Sequence, residues 1–135
     1  MMPQKKSILV LPFASTEVIS GPELCTDGAD LLLSMDFDDE GEGRKICLRF
    51  LKHRAHRFRA ECYCTAEHIE GVYDTVCEVG ESKWIKELRL DAVPEWRDYW
   101  VMRHFMTYVD SFGCLEVVSE SVILDETIVK NSGGT

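Results

Sequence analysis

The chain has 135 residues, 45% of them hydrophobic, and carries 24 acidic side chains against 15 lysines and arginines. This length predicts one domain, 1–135, whose core is large enough to fold without disulfides or metals. The formal net charge of −9 argues against nucleic-acid binding, because contacts with phosphate require a surplus of Lys and Arg. No apolar run approaches the roughly 20 residues of a membrane span. We therefore expect no membrane association, and the cytoplasm is the simplest location.

Strand-like runs dominate the first half of the chain. Alternating or β-branched residues predict strands at 6–13, 29–37, 45–52 and 56–64. The polar segment 15–28, which contains Gly21-Pro22, predicts a loop. The acidic run 38–43 predicts a hairpin turn rather than a calcium loop, because it lacks the ligand spacing and the distal glutamate of an EF-hand.

Charge is unevenly distributed along these strands. Seven cations and no acids lie between residues 44 and 59, namely Arg44, Lys45, Arg49, Lys52, Arg54, Arg57 and Arg59. Such a basic stripe could attract anions or the acidic face of another copy. A solvated strand face is the simpler interpretation.

The middle of the chain is ambiguous between helix and strand. Residues 65–80 combine helical spacing of apolar side chains with residue types that favour strands, and Gly71 weakens a helix. We predict a turn near Gly71, a strand over 72–79 and then a short helix with Ser82 as its N-cap that runs to about Leu90. At the end of the chain, residues 126–135 are expected to form a frayed tail.

The closing hairpin has the clearest pattern. Residues 98–109 and 115–124 are rich in β-branched and aromatic side chains, and the segment 110–113 has the composition of a type I turn with a glycine bulge. If Asp110 faces Cys114, the opposed pairs on one face are Trp100 with Leu124, Met102 with Val122, His104 with Glu120, Met106 with Val118, and Tyr108 with Glu116. Both faces are largely apolar, which predicts a central hairpin covered on both sides and favours a homodimer.

These elements predict an α+β fold. We expect a strongly curled, mainly antiparallel sheet of about six to seven strands, packed on one short helix.

The pair of His104 and Glu120 is the sharpest candidate for chemistry. A carboxylate beside a histidine in an apolar row favours the charged imidazole, so the pair could act as general acid and base, while a purely structural pair is the commoner arrangement. The pair could also be the polar anchor of an apolar pocket between helix and sheet. The expected ligand-binding residues are Trp84, Trp100, His104, Tyr108, Glu116 and Glu120. Trp96, Tyr99, Phe105 and Phe112 either extend this lining or pack in the core.

The cysteines and the other histidines do not form a zinc motif. The six cysteines lie in apolar runs, as small hydrophobic residues do, and are predicted to be reduced thiols. Cys62 and Cys64 are followed by His68, but neither Cys-x-x-Cys nor His-x-x-x-His spacing occurs. His53 and His56, three apart on a strand, would point to opposite faces. No metal and no cofactor is predicted.

Three segments carry a resemblance. They are Tyr73-Asp74-Thr75-Val76, Ser82-Lys83-Trp84, and the stretch from Trp100 through Arg103-His104 to Asp110-x-x-Gly113-Cys114-x-Glu116-Val117. This pattern resembles that of small uncharacterised bacterial proteins, some of them carried on mobile (integron) gene cassettes. The resemblance covers roughly the second half of the chain and implies a compact bacterial domain, without a catalytic residue to carry over.

Two functions follow as expectations. The first is a cytoplasmic, non-catalytic binding protein, immunity-like or antitoxin-like, that recognises a basic protein partner through an acidic surface. The alternative is a domain that binds a small apolar ligand or acts as an enzyme, with its pocket at His104 and Glu120.

Overall fold

The computed structural model describes residues 4–129. Within this range the chain forms nine β-strands and two α-helices. The strands are β1 (Lys5–Val10), β2 (Val18–Asp27), β3 (Asp30–Asp39), β4 (Glu42–Leu51), β5 (Ala55–Ala60), β6 (Thr75–Val79), β7 (Arg103–Val109), β8 (Gly113–Ser119) and β9 (Ser121–Val129), and the helices are α1 (Ala66–Ile69) and α2 (Lys83–Asp91). Short 3-10 turns lie at Ser15–Glu17, Glu61–Tyr63 and Pro94–Trp96.

The strands form two sheets. Sheet A has the order β1-β6-β7-β8-β5, and sheet B has the order β2-β3-β4-β9. Neighbouring strands are antiparallel in both sheets. The sheets pack face to face, because side chains from both form one buried apolar cluster. It includes Leu33, Met35, Ile46, Leu48 and Phe50 from sheet B and Val76, Phe105, Val109, Leu115 and Val117 from sheet A.

A second, smaller apolar cluster lies on the outer face of sheet A. It contains Cys77, Val79, Met106, Tyr108 and Cys114 from the strands, with Val72 and Ile69 from the segment around α1. These strand residues alternate with those of the inner cluster, as the period of two in a pleated strand requires. The helices α1 and α2 lie against β7 on this outer face.

The predicted class, α+β with antiparallel sheet, is confirmed, whereas the predicted single sheet is wrong. The described residues form nine strands in two sheets with two helices, instead of six or seven strands curled around one helix. The physical reason is that a second sheet covers the inner face of the closing hairpin, so that one sheet need not close on itself.

The closing hairpin is central, as predicted. Its strands β7 and β8 are the third and fourth of the five strands in sheet A. Sheet B covers one face, and the segment around α1 packs on the other, with α2 against β7, all within one chain. The apolar faces therefore no longer imply a second subunit, and the homodimer stays a prediction.

The register of this hairpin differs from the predicted one by two residues. His104 faces Val118 instead of Glu120. The loop spans Asp110–Phe112, with Ser111 in the left-handed conformation at a φ of 61°. Because strand side chains alternate with a period of two, this shift leaves the residues of β7 and β8 on their predicted faces and changes only their partners. Val122 and Leu124, predicted on the His104 face, belong to β9 and pack against the inner cluster instead.

The predicted strand 115–124 is two strands that belong to different sheets. β8 ends at Ser119, the chain bends at Glu120, and β9 continues beside β4 in sheet B. The N–H of Glu120 donates to the carbonyl of Leu51 at 2.9 Å. Residues 98–102 are not part of a strand, so the pairs predicted for Trp100 and Met102 do not form.

The end of β9 also departs from the prediction. Residues 126–129, expected to belong to a frayed tail, are part of this strand. Residues 130–135 of the predicted tail lie outside the described range.

Most of the strands predicted in the first half are present, and one was missed. β1, β3, β4 and β5 correspond to the predicted runs, and β3 and β4 form the predicted hairpin, with Glu40 and Gly41 at its turn. The segment predicted as a loop contains β2, whose pairing with β3 shifts register twice, once between Val18 and Ser20 and once across Gly21-Pro22. A Cβ at position 21 would lie 2.9 Å from the carbonyl oxygen of Ser34, so only glycine fits there.

The ambiguous middle segment combines both predictions. α1 forms a single turn, Gly71 lies in a turn with a φ of 78°, and the strand begins only at Thr75. The predicted cap is confirmed: the Oγ of Ser82 accepts a hydrogen bond from the backbone N–H of Ile85 at 3.2 Å, and α2 runs to Asp91.

The basic segment 44–59 is largely neutralised by acidic residues of the same chain. The pairs are Arg44 with Glu126 at 3.3 Å, Arg49 with Asp30 at 2.8 Å and with Asp27 at 3.3 Å, Lys52 with Glu120 at 3.4 Å, and Arg57 with Glu116 at 2.8 Å. These cations are therefore not a uniform stripe open to an external anion. Among residues 4–129, no helix has the length and apolar character needed to cross a membrane.

Candidate functional site

His104 lies at the centre of a buried polar line between α2 and sheet A. Its Nδ1 is 2.7 Å from the Oγ of Ser82, and its Nε2 is 2.8 Å from Oε1 of Glu116. All of these groups are satisfied if Nε2 donates to the Glu116 carboxylate and Nδ1 accepts from the Ser82 hydroxyl. The Ser82 oxygen then still accepts the N–H of Ile85. The line therefore joins the N-terminus of α2 to β7 and β8.

Arg57 completes this line at the surface. Its Nε donates to Oε2 of Glu116 at 2.8 Å, and its Nη2 donates to Oε1 at 3.1 Å. Its guanidinium carbon lies 4.3 Å from the centre of a Trp84 ring, and Trp84 in turn packs edge-on against His104. We call Ser82, His104, Glu116 and Arg57 the buried polar line.

The charge of Glu116 is held by this line. Burial by itself raises the pKa of the carboxyl group, but the hydrogen bonds from His104 and Arg57 outweigh burial and lower the pKa to about 2. Glu116 is therefore ionised across the physiological pH range.

The order of serine, histidine and glutamate resembles that of a hydrolase triad, but the surroundings do not support catalysis. Ser82 is only 8% exposed, and its oxygen already caps α2. A nucleophile must reach its substrate, and an acyl-transfer site needs donors aimed at the developing oxyanion. Two surface grooves, of about 410 and 600 Å³, are lined by other residues. The geometry is that of a structural connection between helix and sheet.

The predicted ligand-binding residues do not form one pocket. Trp84, His104 and Glu116 meet in the buried polar line, whereas Glu120 pairs with Lys52 at the bend before β9. Tyr108 is buried and stacks on Tyr73 with ring centroids 5.5 Å apart.

The other aromatic residues predicted to line the pocket lie in different parts of the fold. Phe105 packs in the core between the sheets, and Phe112 packs against Phe58. Trp96, Tyr99 and Trp100 lie together after the C-terminus of α2.

These three residues form an exposed aromatic cluster. Trp96, Tyr99 and Trp100 are 49%, 66% and 41% exposed. The Tyr99 ring is nearly perpendicular to both tryptophans, and the tryptophan rings stack with centroids 6.3 Å apart. The guanidinium carbon of Arg54 lies 4.2 Å from the centre of the Trp100 ring. We call Trp96, Tyr99 and Trp100 the aromatic cluster.

A cation anchors the segment that carries this cluster. Arg97 donates from Nε to the carbonyl of Arg89 at 2.9 Å and from Nη2 to the carbonyl of Leu90 at 3.3 Å. Because these carbonyls lie in the last turn of α2, Arg97 satisfies part of the helix terminus and fixes the chain that follows. The cluster is thus held on an ordered turn.

Several polar partners were not recognised from the sequence. Arg57 was assigned only to the basic stripe, and Ser82 only to a helix cap. The alternation of residues in β5 indicates the face on which Arg57 lies. Its partner, however, depends on the pairing of β5 with β8, which the sequence pattern does not specify. His53 and His56, predicted to point apart, meet with Nε2 and Nδ1 2.9 Å apart because the first precedes β5 and is not part of a strand.

The described residues contain no group of three or more His, Cys, Asp or Glu side chains placed to hold a metal ion. The six cysteines are all free thiols, with Cys77 and Cys114 buried. Burial raises the pKa of the Cys114 thiol to about 12, so this thiol stays protonated and unreactive.

Comparison of the chain with protein-family models, with curated proteins and with solved structures gives no match. The resemblance to gene-cassette proteins stays a prediction.

Proposed function

We propose that this protein is a non-catalytic binding protein that recognises a basic protein partner through the aromatic cluster and the carboxylates beside it. The observation that carries this proposal is the exposure of three adjacent aromatic rings on an ordered turn. Tryptophan and tyrosine dominate the energetics of protein interfaces, because they bury a large area with little loss of side-chain freedom.

The charge around the cluster favours a cationic partner. Asp91, Glu95 and Asp98 lie in the same segment and are exposed, and the side chain of Asp98 is 85% exposed. Arg97 is occupied at the end of α2. Within the chain, Arg54 already contacts Trp100, and Asp98 lies 3.8 Å from Arg89. Lysine or arginine side chains of a partner would therefore meet mainly the rings of Trp96 and Tyr99 and the carboxylates of Asp91 and Glu95, which attract cations by cation–π and Coulomb interactions.

The role of such a protein is immunity-like or antitoxin-like: it binds a basic toxin or enzyme and blocks it. The net charge of −9 supports this role by accelerating the encounter with a basic partner at low salt. We do not propose a ligand pocket at His104, because both of its ring nitrogens are hydrogen-bonded to side chains of the same chain and only 4% of His104 is exposed.

The test compares three baits in parallel: the natural chain, the double variant Trp96→Ala/Tyr99→Ala, and the control Tyr63→Ala. Tyr63 is 72% exposed and lies outside the cluster, so its loss removes an aromatic ring that is at least as exposed as those of Trp96 and Tyr99. A lysine-rich synthetic peptide and a glutamate-rich peptide of the same length serve as defined probes, followed by tryptophan fluorescence.

The expected result is binding of the lysine-rich peptide alone, weakened at least tenfold by the double variant and by a rise in salt, and unchanged by Tyr63→Ala. In pull-downs, a protein counts as a partner only if the double variant loses it and the control retains it. Equal behaviour of all three baits, or preference for the acidic peptide, would contradict the proposal.

A further inference from the structure

The four edge strands of the two sheets differ in how they are protected from pairing with other strands. An open edge presents a row of free backbone N–H and C=O groups, and proteins normally protect it with charges, proline, bulges or short length. β1 has six residues, includes Lys5 and Lys6, and shifts register between Ser7 and Leu9. β5 also has six residues and carries Arg57 and Arg59.

The edges of sheet B contrast with one another. β2 has two register shifts and contains Gly21-Pro22. β9 has nine residues and forms nine consecutive pairs with β4 without a shift. Its segment, Ser121–Val129, contains no proline, glycine, lysine or arginine. Among the described residues, no strand pairs with the other edge of β9.

From this contrast we propose that β9 pairs with β9 of a second copy of the chain, forming a two-fold symmetric homodimer with one continuous eight-stranded sheet. A strand that pairs antiparallel with its own copy matches donors to acceptors on both sides of the dyad, so the contact closes after two chains. Nine residues span about 30 Å of edge.

The side chains of β9 are compatible with a second copy. Its two acids are already paired with cations of β4: Asp125 with Arg49 at 3.7 Å and Glu126 with Arg44 at 3.3 Å. Two β9 strands can therefore approach without bare carboxylates between them. Ile123 is 41% exposed on the outer face of sheet B, and a neighbouring strand would cover part of it.

This dimer does not depend on the proposed partner, and the two associations respond oppositely to salt. Each chain carries a net charge of −9, so two copies repel one another at a distance and salt screens that repulsion. Raising the salt concentration should therefore strengthen the dimer, whereas it weakens binding of a basic partner.

The test is the molecular mass in solution over a range of protein concentrations, measured by sedimentation at low and moderate salt. The variant Ile123→Glu adds a carboxylate to the exposed face of β9, so that each strand of the proposed contact gains a negative charge. The matched control is Ile19→Glu on β2, which changes the net charge equally at a 66% exposed position of the other edge. Far-ultraviolet circular dichroism checks that both variants are folded.

We expect the natural chain and Ile19→Glu to reach the mass of two chains, and Ile123→Glu to require at least tenfold more protein to do so. Hydrogen exchange of the natural chain adds a measurement that needs no variant, because β9 amides should exchange more slowly as concentration rises. The proposal would be overturned if the chain had the mass of one copy at every concentration or if both variants dimerised equally. It would also be overturned if the exchange rate of the β9 amides did not depend on protein concentration.

Discussion

Two arginine–tryptophan contacts of nearly identical geometry have different surroundings in this protein. The guanidinium of Arg57 lies 4.3 Å from a Trp84 ring, and that of Arg54 lies 4.2 Å from a Trp100 ring. Arg57 also donates two hydrogen bonds to Glu116. Arg54 has its Nε and Nη2 buried, with no hydrogen-bond partner among the described residues.

The difference teaches that a local contact does not by itself say whether a site is structural. Arg57 and Glu116 face each other on paired strands, so the first contact closes a network that reaches α2. Trp100 belongs to the exposed aromatic cluster, and its contact with Arg54 is not part of such a hydrogen-bonded network. The buried polar line is therefore expected to contribute mainly to stability, and the exposed aromatic cluster is the surface proposed for recognition.

The largest expected effect is that of His104→Ala. This variant removes the shared partner of Ser82 and Glu116 and should lower the free energy of unfolding by about 3 kcal/mol, because it leaves a half-buried charge and a buried hydroxyl without their hydrogen bonds. Urea unfolding measures the change. His56→Ala, at an exposed histidine, is the control and should change stability by less than about 0.5 kcal/mol. Equal effects would mean that the buried polar line is not a stabilising unit.

The next effect is the pH dependence that Glu116 creates. Its pKa of about 2 in the folded protein lies below the ordinary value of 4.5. A lowered pKa stabilises the fold above the ordinary value, and that stability is lost as pH falls from about 4.5 towards 2, by about 3 kcal/mol in total. Unfolding free energies at a series of pH values should show this loss, which should be smaller in Glu116→Gln and unchanged in Glu120→Gln. Identical pH profiles for the two variants would contradict the assignment.

A sharper comparison substitutes the two arginines. Arg57→Ala should destabilise the protein by about 1 kcal/mol, because Glu116 loses two hydrogen bonds, although the half-exposed position of Arg57 limits the effect. Arg54→Ala should change the free energy of unfolding by less than about 0.5 kcal/mol, because removal of two buried nitrogens without hydrogen-bond partners among the described residues offsets the lost contact with Trp100. Thermal or urea unfolding of the pair tests the order, and the reverse order would show that the two contacts are not distinguished by their surroundings.

The smallest expected effect on stability is that of Trp96→Ala/Tyr99→Ala. Both rings are about half exposed or more, so the free energy of unfolding should fall by less than about 1 kcal/mol, while peptide binding weakens at least tenfold. The measurement is urea unfolding of the double variant beside Tyr63→Ala. A loss of several kcal/mol would assign the cluster to the fold instead of to recognition.

Local patterns predicted much of this fold. The cap at Ser82 depends on neighbouring residues only, and the β3–β4 turn is marked by acidic and glycine residues. The alternation of faces in β7 and β8 was also correct, because it needs only the period of two. The α+β class follows from these elements.

Partnerships across the chain were harder to predict. The hairpin register differs from the predicted one by two residues, so Val118 lies opposite His104 and the carboxylate that reaches its ring is that of Glu116 instead of Glu120. β2 was missed because Gly21-Pro22 and its polar residues resemble a loop, and its irregular pairing with β3 is a tertiary feature. The break at Glu120 carries no glycine or proline, so nothing local marks the passage between sheets.

The sequence by itself determined which faces of its strands are apolar, where α2 begins and that His104 lies on the same face as a carboxylate. Only the tertiary structure decided which carboxylate that is, that Ser82 and Arg57 join it, and that Trp96, Tyr99 and Trp100 remain at the surface. The reason is physical: alternation and capping arise from neighbouring residues, whereas strand partners are chosen by the packing of two whole sheets, which no short segment encodes.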